Sequence, residues 1–532
     1  MNASSTGAGN PPIHAPRAGG DPHAHAPRHL HFGRAALIGL CAGLLAVAFR
    51  RALSAAESGR GSLLTTLHEH PAWGWLVLPA IGLVVGSLVG YVTQRFAPDA
   101  AGSGIPHLKG VLLHVRTLSW TRLLPVKFLG GVAGIGAGLS LGREGPTVQM
   151  GAAVARALAG PLRAPPSDIP QLLSAGAGAG LAAAFNAPLA GLIFVVEELH
   201  RELSTRTAAG ALVAAVCATV ITQWFAGDTP SFEVRGLMSM PLAALPLAAT
   251  VGVLGGAVGV LFNTALLGAQ ALAIRQRRVP RWLLVGLAGV LVGLVAWRLP
   301  DAVGGGQGVA ERILGGTMGV TLGALAVLVV AKFALSVLSY ASGAPGGIFA
   351  PMLLLGALLG AAFSKAAELA LPPIAAQGQV LAVLGMAAMF VGSVRAPLTG
   401  IVLISEMTNG YELLFPICIT ALAANLAAEA LRGVPVYDAL LKADLNRTGH
   451  GPTGGPPRTV YIGVQSSCAI AGKKIMHAGL PAGCLIIALE RHGRNLLPTA
   501  NTVLEPGDHI SVLVPGESPH ATMVIVRLCT GL

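Results

Sequence analysis

One set of spacings occurs twice in this chain. Gly142-x-x-x-Pro146 is followed by Gly151-Ala152, and Gly347-x-x-x-Pro351 by Gly356-Ala357, the same pattern displaced by 205 residues. A second pair, Ala187-Pro188-Leu189-x-Gly191 with Glu197 against Ala396-Pro397-Leu398-x-Gly400 with Glu406, is displaced by 209. Spacings preserved in order predict two halves of about 200 residues each that fold with the same turn-and-helix devices. A fold of this kind places its site at the interface of the repeats.

Both halves lie in apolar sequence. The chain of 532 residues is 53% hydrophobic and 11% charged, with a mean hydropathy of +0.69. Apolar stretches recur from residue 34 to residue 431, and several are long enough to span a bilayer, which takes about 20 residues. Others are too short. The stretch after Pro146 meets Arg156 within three turns, and those opened by Pro188 and Pro397 run only to Glu197 and Glu406. Short segments interrupted by Gly and Pro predict half-helices that meet inside the protein, where irregular backbone lines a cavity.

The excess of 35 Lys+Arg over 23 Asp+Glu would suggest nucleic acid in a soluble chain. Here the basic residues cluster between apolar segments, so membrane topology explains them and no nucleic-acid partner is expected. Arg275-Gln276-Arg277-Arg278 with Arg281 reads as a cytoplasmic loop. The six cysteines (41, 217, 418, 468, 484, 529) lack metal-ligand spacing and read as reduced or inert. Residues 1–33, rich in Pro, Gly and His, read as a disordered tail without a cleavable leader. Its His14, His23, His25, His29 and His31 could bind a metal, but their spacing is loose with no other ligand nearby, and a solvated tail is the better reading. No Walker loop, metal cluster or nucleophile elbow points to an enzyme, and no cofactor is expected.

Glu144 is the first candidate for function. Gly142-Arg143-Glu144-Gly145-Pro146 sets an acid where an apolar helix should begin, and an ionisable group at membrane depth is costly unless it serves a polar pathway. Glycine permits the turn and proline suits the first helical turn. The free N–H groups and dipole of a helix start favour an anion. Pro351 and the upstream Gly102-Ser103-Gly104-Ile105-Pro106 supply further helix starts that can converge on one point, although a lone G-x-x-x-P is more often a structural break.

Gly102-Ser103-Gly104-Ile105-Pro106, Gly142-Arg143-Glu144-Gly145-Pro146, Gly347-Ile348-Phe349-Ala350-Pro351 and Tyr437, in this order, resemble the CLC family of chloride channels and chloride/proton exchangers. The resemblance covers residues 34–445. It implies an all-α polytopic membrane fold, an inverted repeat of tilted, broken helices, in a homodimer with one pore per subunit in the bacterial inner membrane. By the same resemblance, Ser103 Oγ and Tyr437 OH coordinate a central chloride, with Gly145 and the backbone N–H groups of Ile348 and Phe349. Gly102, Gly104, Pro106, Gly142, Arg143, Pro146, Gly347 and Pro351 support them. Serine at this position is linked with chloride preference over nitrate. Taken alone, Ser103 would be a helix cap and Tyr437 an interfacial aromatic.

The resemblance makes Glu144 the external gate, a tethered anion that competes with chloride and is released by protonation. Glu197-Glu198, which alone read as a solvated helix end before His200-Arg201-Glu202, are separated by it. Glu198 aligns with the inner proton-transfer glutamate of the exchangers, a position that channel members generally fill with a non-protonatable residue. Glu197, matched by Glu406, reads as structural. Lys127 and Lys332 are expected to satisfy carboxylates or carbonyls, or to tune the anion field. The favoured function is therefore chloride/proton exchange. A passive chloride channel of the same fold is the alternative, and an anion sensor acting through the C-terminal segment is a reading of another class.

A polar linker at 446–457 separates this region from residues 458–532. Strands are expected at Val460–Val464, Leu485–Leu489 and His509–Val514, a turn at Pro506-Gly507-Asp508 and a helix at Pro519–Leu528. Gly472-Lys473-Lys474-Ile475, Ala488-Leu489-Glu490-Arg491, Pro498 and Leu504-Glu505-Pro506-Gly507-Asp508 resemble the TrkA-C domain, a small cytoplasmic α/β module. The resemblance implies a dimerising stabiliser or a sensor for a small ligand, and no ligand motif decides between them.

Overall fold

The computed structural model describes residues 27–531 except 114, 202–203, 229–230, 233, 235–239, 277, 371–377, 448–457, 492–493 and 515–518. The first half contains α1 (Arg28–His68), α2 (Gly74–Phe96), α3 (Ile105–Leu112), α4 (Trp120–Gly136), α5 (Glu144–Ala159), α6 (Ile169–Phe185), α7 (Pro188–Phe194) and α8 (Thr205–Ala226). The second contains α9 (Leu245–Arg275), α10 (Arg281–Arg298), α11 (Gln307–Leu314), α12 (Leu322–Ala341), α13 (Phe349–Ala370), α14 (Gly378–Val394), α15 (Pro397–Thr408) and α16 (Leu414–Ala430), followed by α17 (Val436–Arg447). Element by element, the second set retraces the first. Even the single helical turns at Pro98–Ala100 and Pro300–Ala302 correspond, Pro-Asp-Ala in both.

The packing is duplicated as well. α1 packs on α8 as α9 does on α16, and α5 on α6 as α13 does on α14, while α2 meets α10 and α7 meets α15 across the two halves. Small residues permit this closeness. A Cβ on Gly151 would lie 2.1 Å from the Gly176 carbonyl oxygen, and one on its counterpart Gly356 would lie 2.3 Å from that of Gly385. Eight helices among the described residues are long and apolar enough to cross a bilayer. α3, α5, α7, α11 and α15 are shorter half-helices, and the apolar runs 171–199 and 378–405 are each split by a turn before proline, as the sequence suggested.

The prolines of the half-helix motifs, Pro106, Pro146, Pro188, Pro351 and Pro397, sit in first turns, where their missing N–H is no loss. Pro146 and Pro351 each occupy the third residue of their helix, so α5 begins at Glu144 itself rather than after it. α1 begins at Arg28, inside the stretch expected to be tail. Residues 1–26, with His14, His23 and His25, lie outside the described residues. His29 is on α1, and His31 is buried there at 3.8 Å from Asp168, which also binds Arg206 at 3.1 Å. All six cysteines are unpaired.

Past the linker, most of which lies outside the described residues, β1 (Arg458–Gly463), β2 (Leu485–Arg491), β3 (Arg494–Leu496) and β4 (His509–Val514) form an antiparallel sheet in the order β1-β4-β2-β3, with α18 (Pro519–Thr530) against β1. β3 was not foreseen, because three residues carry no readable alternation. Val460, Ile462, Leu489, Ile510, Val512 and Ile525 fill the core. Leu113 and Val115, in the loop after α3, pack against this core and join the module to the helical region.

Candidate functional site

Three glycine turns meet at the centre of the helical region. Gly142 and Gly347 exchange two backbone hydrogen bonds of 2.7 Å, and Gly102 donates to Ala344 at 3.1 Å while accepting from Gly346 at 3.0 Å. Gly145 lets them touch: a Cβ there would lie 2.9 Å from Ser103 Cβ and 3.1 Å from Gly347 Cα. Gly102 and Gly104 adopt φ of 65° and 84°, a region that only glycine enters freely, and aim α3 away from the turn. The starts of α3, α5 and α13 therefore converge, each with N–H groups that no intrahelical acceptor satisfies.

Glu144 opens α5 with only 4% of its surface exposed. Its carboxylate folds back over Gly142, where a Cβ would stand 2.3 Å from Oε2, and lies beside its own N–H and that of Ala350 in the first turn of α13. Oε2 has no hydrogen-bond partner, and Arg143 Nε is 3.9 Å from Oε1. Two helix starts thus converge on one carboxylate, an arrangement in which any small anion could take its place.

Ser103, Ile348, Phe349 and Tyr437 are fully buried. Ser103 Oγ accepts from the Ile105 N–H at 3.3 Å, the cap-like bond expected of a serine before a helix. Tyr437 is the second residue of α17, its ring stacked on Phe349 at 5.9 Å, and its hydroxyl is buried without a partner. That hydroxyl lies within electrostatic range of both Glu144 and Glu198. A buried polar atom without a partner is expensive in a native fold and marks a place where something else binds.

Glu197 and Glu198 part company in a single π-helical turn, Val195–His200, that continues α7. Such turns shift the side-chain register and recur at functional sites. Glu197 reaches the start of α15 and accepts from the N–H groups of Leu398 at 3.0 Å and Thr399 at 2.6 Å. Glu406 returns the favour at the start of α7, accepting from Leu189 at 3.0 Å and Ala190 at 2.7 Å. Each acid near the end of one half-helix caps the start of the other, so the two run antiparallel about a local two-fold axis.

Glu198 points elsewhere. It is 2% exposed and accepts from Lys109 Nζ at 2.8 Å, and the same ammonium reaches Asp438 at 2.5 Å. Arg201 also binds Asp438. Two cations and two carboxylates make this buried cluster neutral, as burial requires. The sequence reading missed Lys109, Arg201 and Asp438. A lysine in the short apolar α3 and an acid directly after Tyr437 were the available signals.

Lys127 and Lys332, 205 residues apart, are both fully buried and bind carbonyls rather than carboxylates. Lys127 Nζ donates to Ala100 at 2.9 Å and Gly102 at 2.6 Å, pinning the Ser103 turn, and Lys332 Nζ donates to Gly304 at 2.6 Å. Among the described residues no group of acids, histidines and cysteines could hold a metal ion.

Known proteins resemble this chain. Residues 85–429 match the family described as "Voltage gated chloride channel", and residues 460–521 match the TrkA-C domain. The chain is 40% identical over 417 residues to the H(+)/Cl(-) exchange transporter ClcA of Cronobacter sakazakii, covering 77% of this chain and 89% of that protein. It is 39% identical over 420 residues to the transporter of the same name from Salmonella arizonae, covering 77% and 88%. The crystal structure of a slow cyanobacterial Cl−/H+ antiporter superposes with a TM-score of 0.75 at 33% identity, over 80% of this chain and all of that one. With its duplicated half-helices, its three converging turns and these relatives, the chain is a multi-pass membrane protein of the voltage gated chloride channel (CLC) family that carries a C-terminal TrkA-C domain.

Proposed function

We propose that this protein exchanges chloride for protons across the membrane. The carrying observation is the Glu144 carboxylate at the meeting of two helix starts with one oxygen unpartnered, and the relatives named as exchangers support the same reading. Chloride and this carboxylate compete for the same N–H groups. Protonation removes the charge that holds the side chain there and admits chloride, so proton binding and anion entry become one event. Ser103 Oγ, the Tyr437 hydroxyl and the backbone N–H groups of Gly145, Ile348 and Phe349 hold the anion further in. Neutral donors bind it without the grip of a fixed cation, so that it can leave again.

Glu198 is the inner end of the proton route. Lys109, held in turn by Asp438, fixes its carboxylate, and Tyr437 lies within electrostatic range of both it and Glu144. The basic loop at Arg275–Arg281 and the C-terminal module lie on the same side: Arg281 lines a cavity together with Arg116 and Asp444, whose ion pair is 2.6 Å long. By the positive-inside rule this side is cytoplasmic. A homodimer belongs to the same proposal and rests on family membership; cross-linking in native membranes checks it.

The test is Glu198→Gln in liposomes. Proton flux should fall to background while chloride flux persists. A protein that is a passive channel instead would carry no chloride-driven proton flux even before substitution.

A further inference from the structure

Glu198 and Ser103 open toward the cytoplasmic side through different cavities, and the C-terminal module covers one of them. A cavity of about 480 Å³ reaches Gly102, Gly104 and Tyr340 around the Ser103 turn, and no described residue of the module lines it. A second, of about 570 Å³, has Glu198, Arg201 and Arg395 on one wall and Gln465, Ser466 and Gly507 of the module on the other. We propose that the TrkA-C module roofs the proton entrance to Glu198 and controls proton supply while leaving the chloride entrance open. This rests on the exchanger reading above and extends it.

The roof is built to hold its shape. Val464 and Gln465 follow β1, and Gly507 lies in the turn before β4. Val464 donates to Asp508 and accepts from Gly507, both at 2.8 Å, and Gln465 donates to Cys529 at the end of α18 at 2.9 Å. Arg491 of β2 clamps the same turn through both oxygens of Asp508 at 2.7 Å and through Glu505 at 2.5 Å. These carboxylates push the Arg491 guanidinium above its usual range, so the clamp stays charged at every physiological pH. Leu113 and Val115 hold the module beside α3, the helix that carries Lys109.

Among the described residues, the charges facing Glu198 come from the helical region. They are Lys109 on α3, Asp438 on α17, Arg201 in its own turn, Arg395 before α15 and the neighbouring Glu197. The described residues of the roof add amide, hydroxyl and backbone groups and no acid or base. A polar cavity of this size holds several waters, each needing two or more such partners. The module therefore acts on protons through the water it orders and admits. Chloride, bound for Ser103, does not pass beneath it.

Filling the cavity tests this. Ser466 is exposed, and Ser466→Trp places a large apolar ring between the roof and Glu198. In full-length protein in liposomes, proton flux should fall several-fold. In a Glu198→Gln background, where chloride needs no proton, Ser466→Trp should leave chloride flux unchanged. Leu497→Trp, at an 87% exposed position of the same module away from the cavity, should leave both fluxes unchanged and controls for folding. The roof is overturned if Ser466→Trp spares proton flux, or if it lowers chloride flux in the Glu198→Gln background. Proton flux that survives Glu198→Gln alone removes Glu198 from the proton route, and the roof with it, whereas chloride flux without chloride-driven proton flux in the unsubstituted protein overturns the exchanger reading.

Discussion

The two halves of the helical region agree at some polar positions and disagree at others, and the two classes behave differently. Where they agree, the side chains hold the fold. Glu197 and Glu406 cap each other's half-helices, and Lys127 and Lys332 each tie down a glycine turn. Where they disagree, one half carries a polar group that the other lacks. Glu144 stands opposite Phe349, Ser103 opposite Gly305, and Glu198 opposite Met407. A two-fold fold needs each structural device twice, whereas a single ion path along its axis needs each ligand once. Broken symmetry therefore points to function, and kept symmetry to architecture.

Six substitutions sharpen or break this comparison, beginning with the largest effect. Glu144→Gln should abolish proton coupling outright, leaving chloride flux that no longer responds to external pH; the reversal potential under combined gradients reads it. Persistent coupling would remove Glu144 from the unmatched, functional class. Ser103→Gly makes the first half like the second. Nitrate flux should rise several-fold relative to chloride, while stability changes by only a few tenths of a kcal/mol, as when glycine replaces serine at a cap.

Lys127→Met should leave coupling intact but lower the thermal unfolding temperature in detergent. It strips the buried Ala100 carbonyl of its donor, at about 1–3 kcal/mol, and leaves the Gly102 carbonyl only the Gly346 N–H. Lys332→Met, with one such carbonyl, should cost less, and equal losses would show that the pair are not true counterparts. Glu197→Gln and Glu406→Gln should have the smallest effects, each about 0.5–2 kcal/mol for a weakened cap. Glu197 should lose slightly more, because it also accepts from the Thr399 hydroxyl at 2.7 Å. A changed chloride-to-proton ratio in either would end the rule that matched acids serve architecture alone.

Much of this was legible before folding. Gly and Pro carry their backbone consequences wherever they stand, so the half-helices, the paired helix starts and the structural role of Glu197 followed from spacing. The opening of α5 at Glu144 rather than past it was less legible, since proline is compatible with any position in the first turn. The neutral cluster around Glu198 was not legible at all. Lys109, Glu198, Arg201 and Asp438 come from separate parts of the chain, as much as 329 residues apart, and a π turn that no local propensity announces swings Glu198 away from its neighbour.

The sequence by itself determined a duplicated membrane fold, the positions of its broken helices and an acid at a helix start, because these depend on local backbone chemistry and on the period of apolar residues. Tertiary structure alone decided that two helix starts share the Glu144 carboxylate, that Lys109, held in turn by Asp438, fixes Glu198, and that the C-terminal module covers one cavity and not the other. Those facts depend on which distant surfaces touch, and a linear pattern of residues does not encode contact.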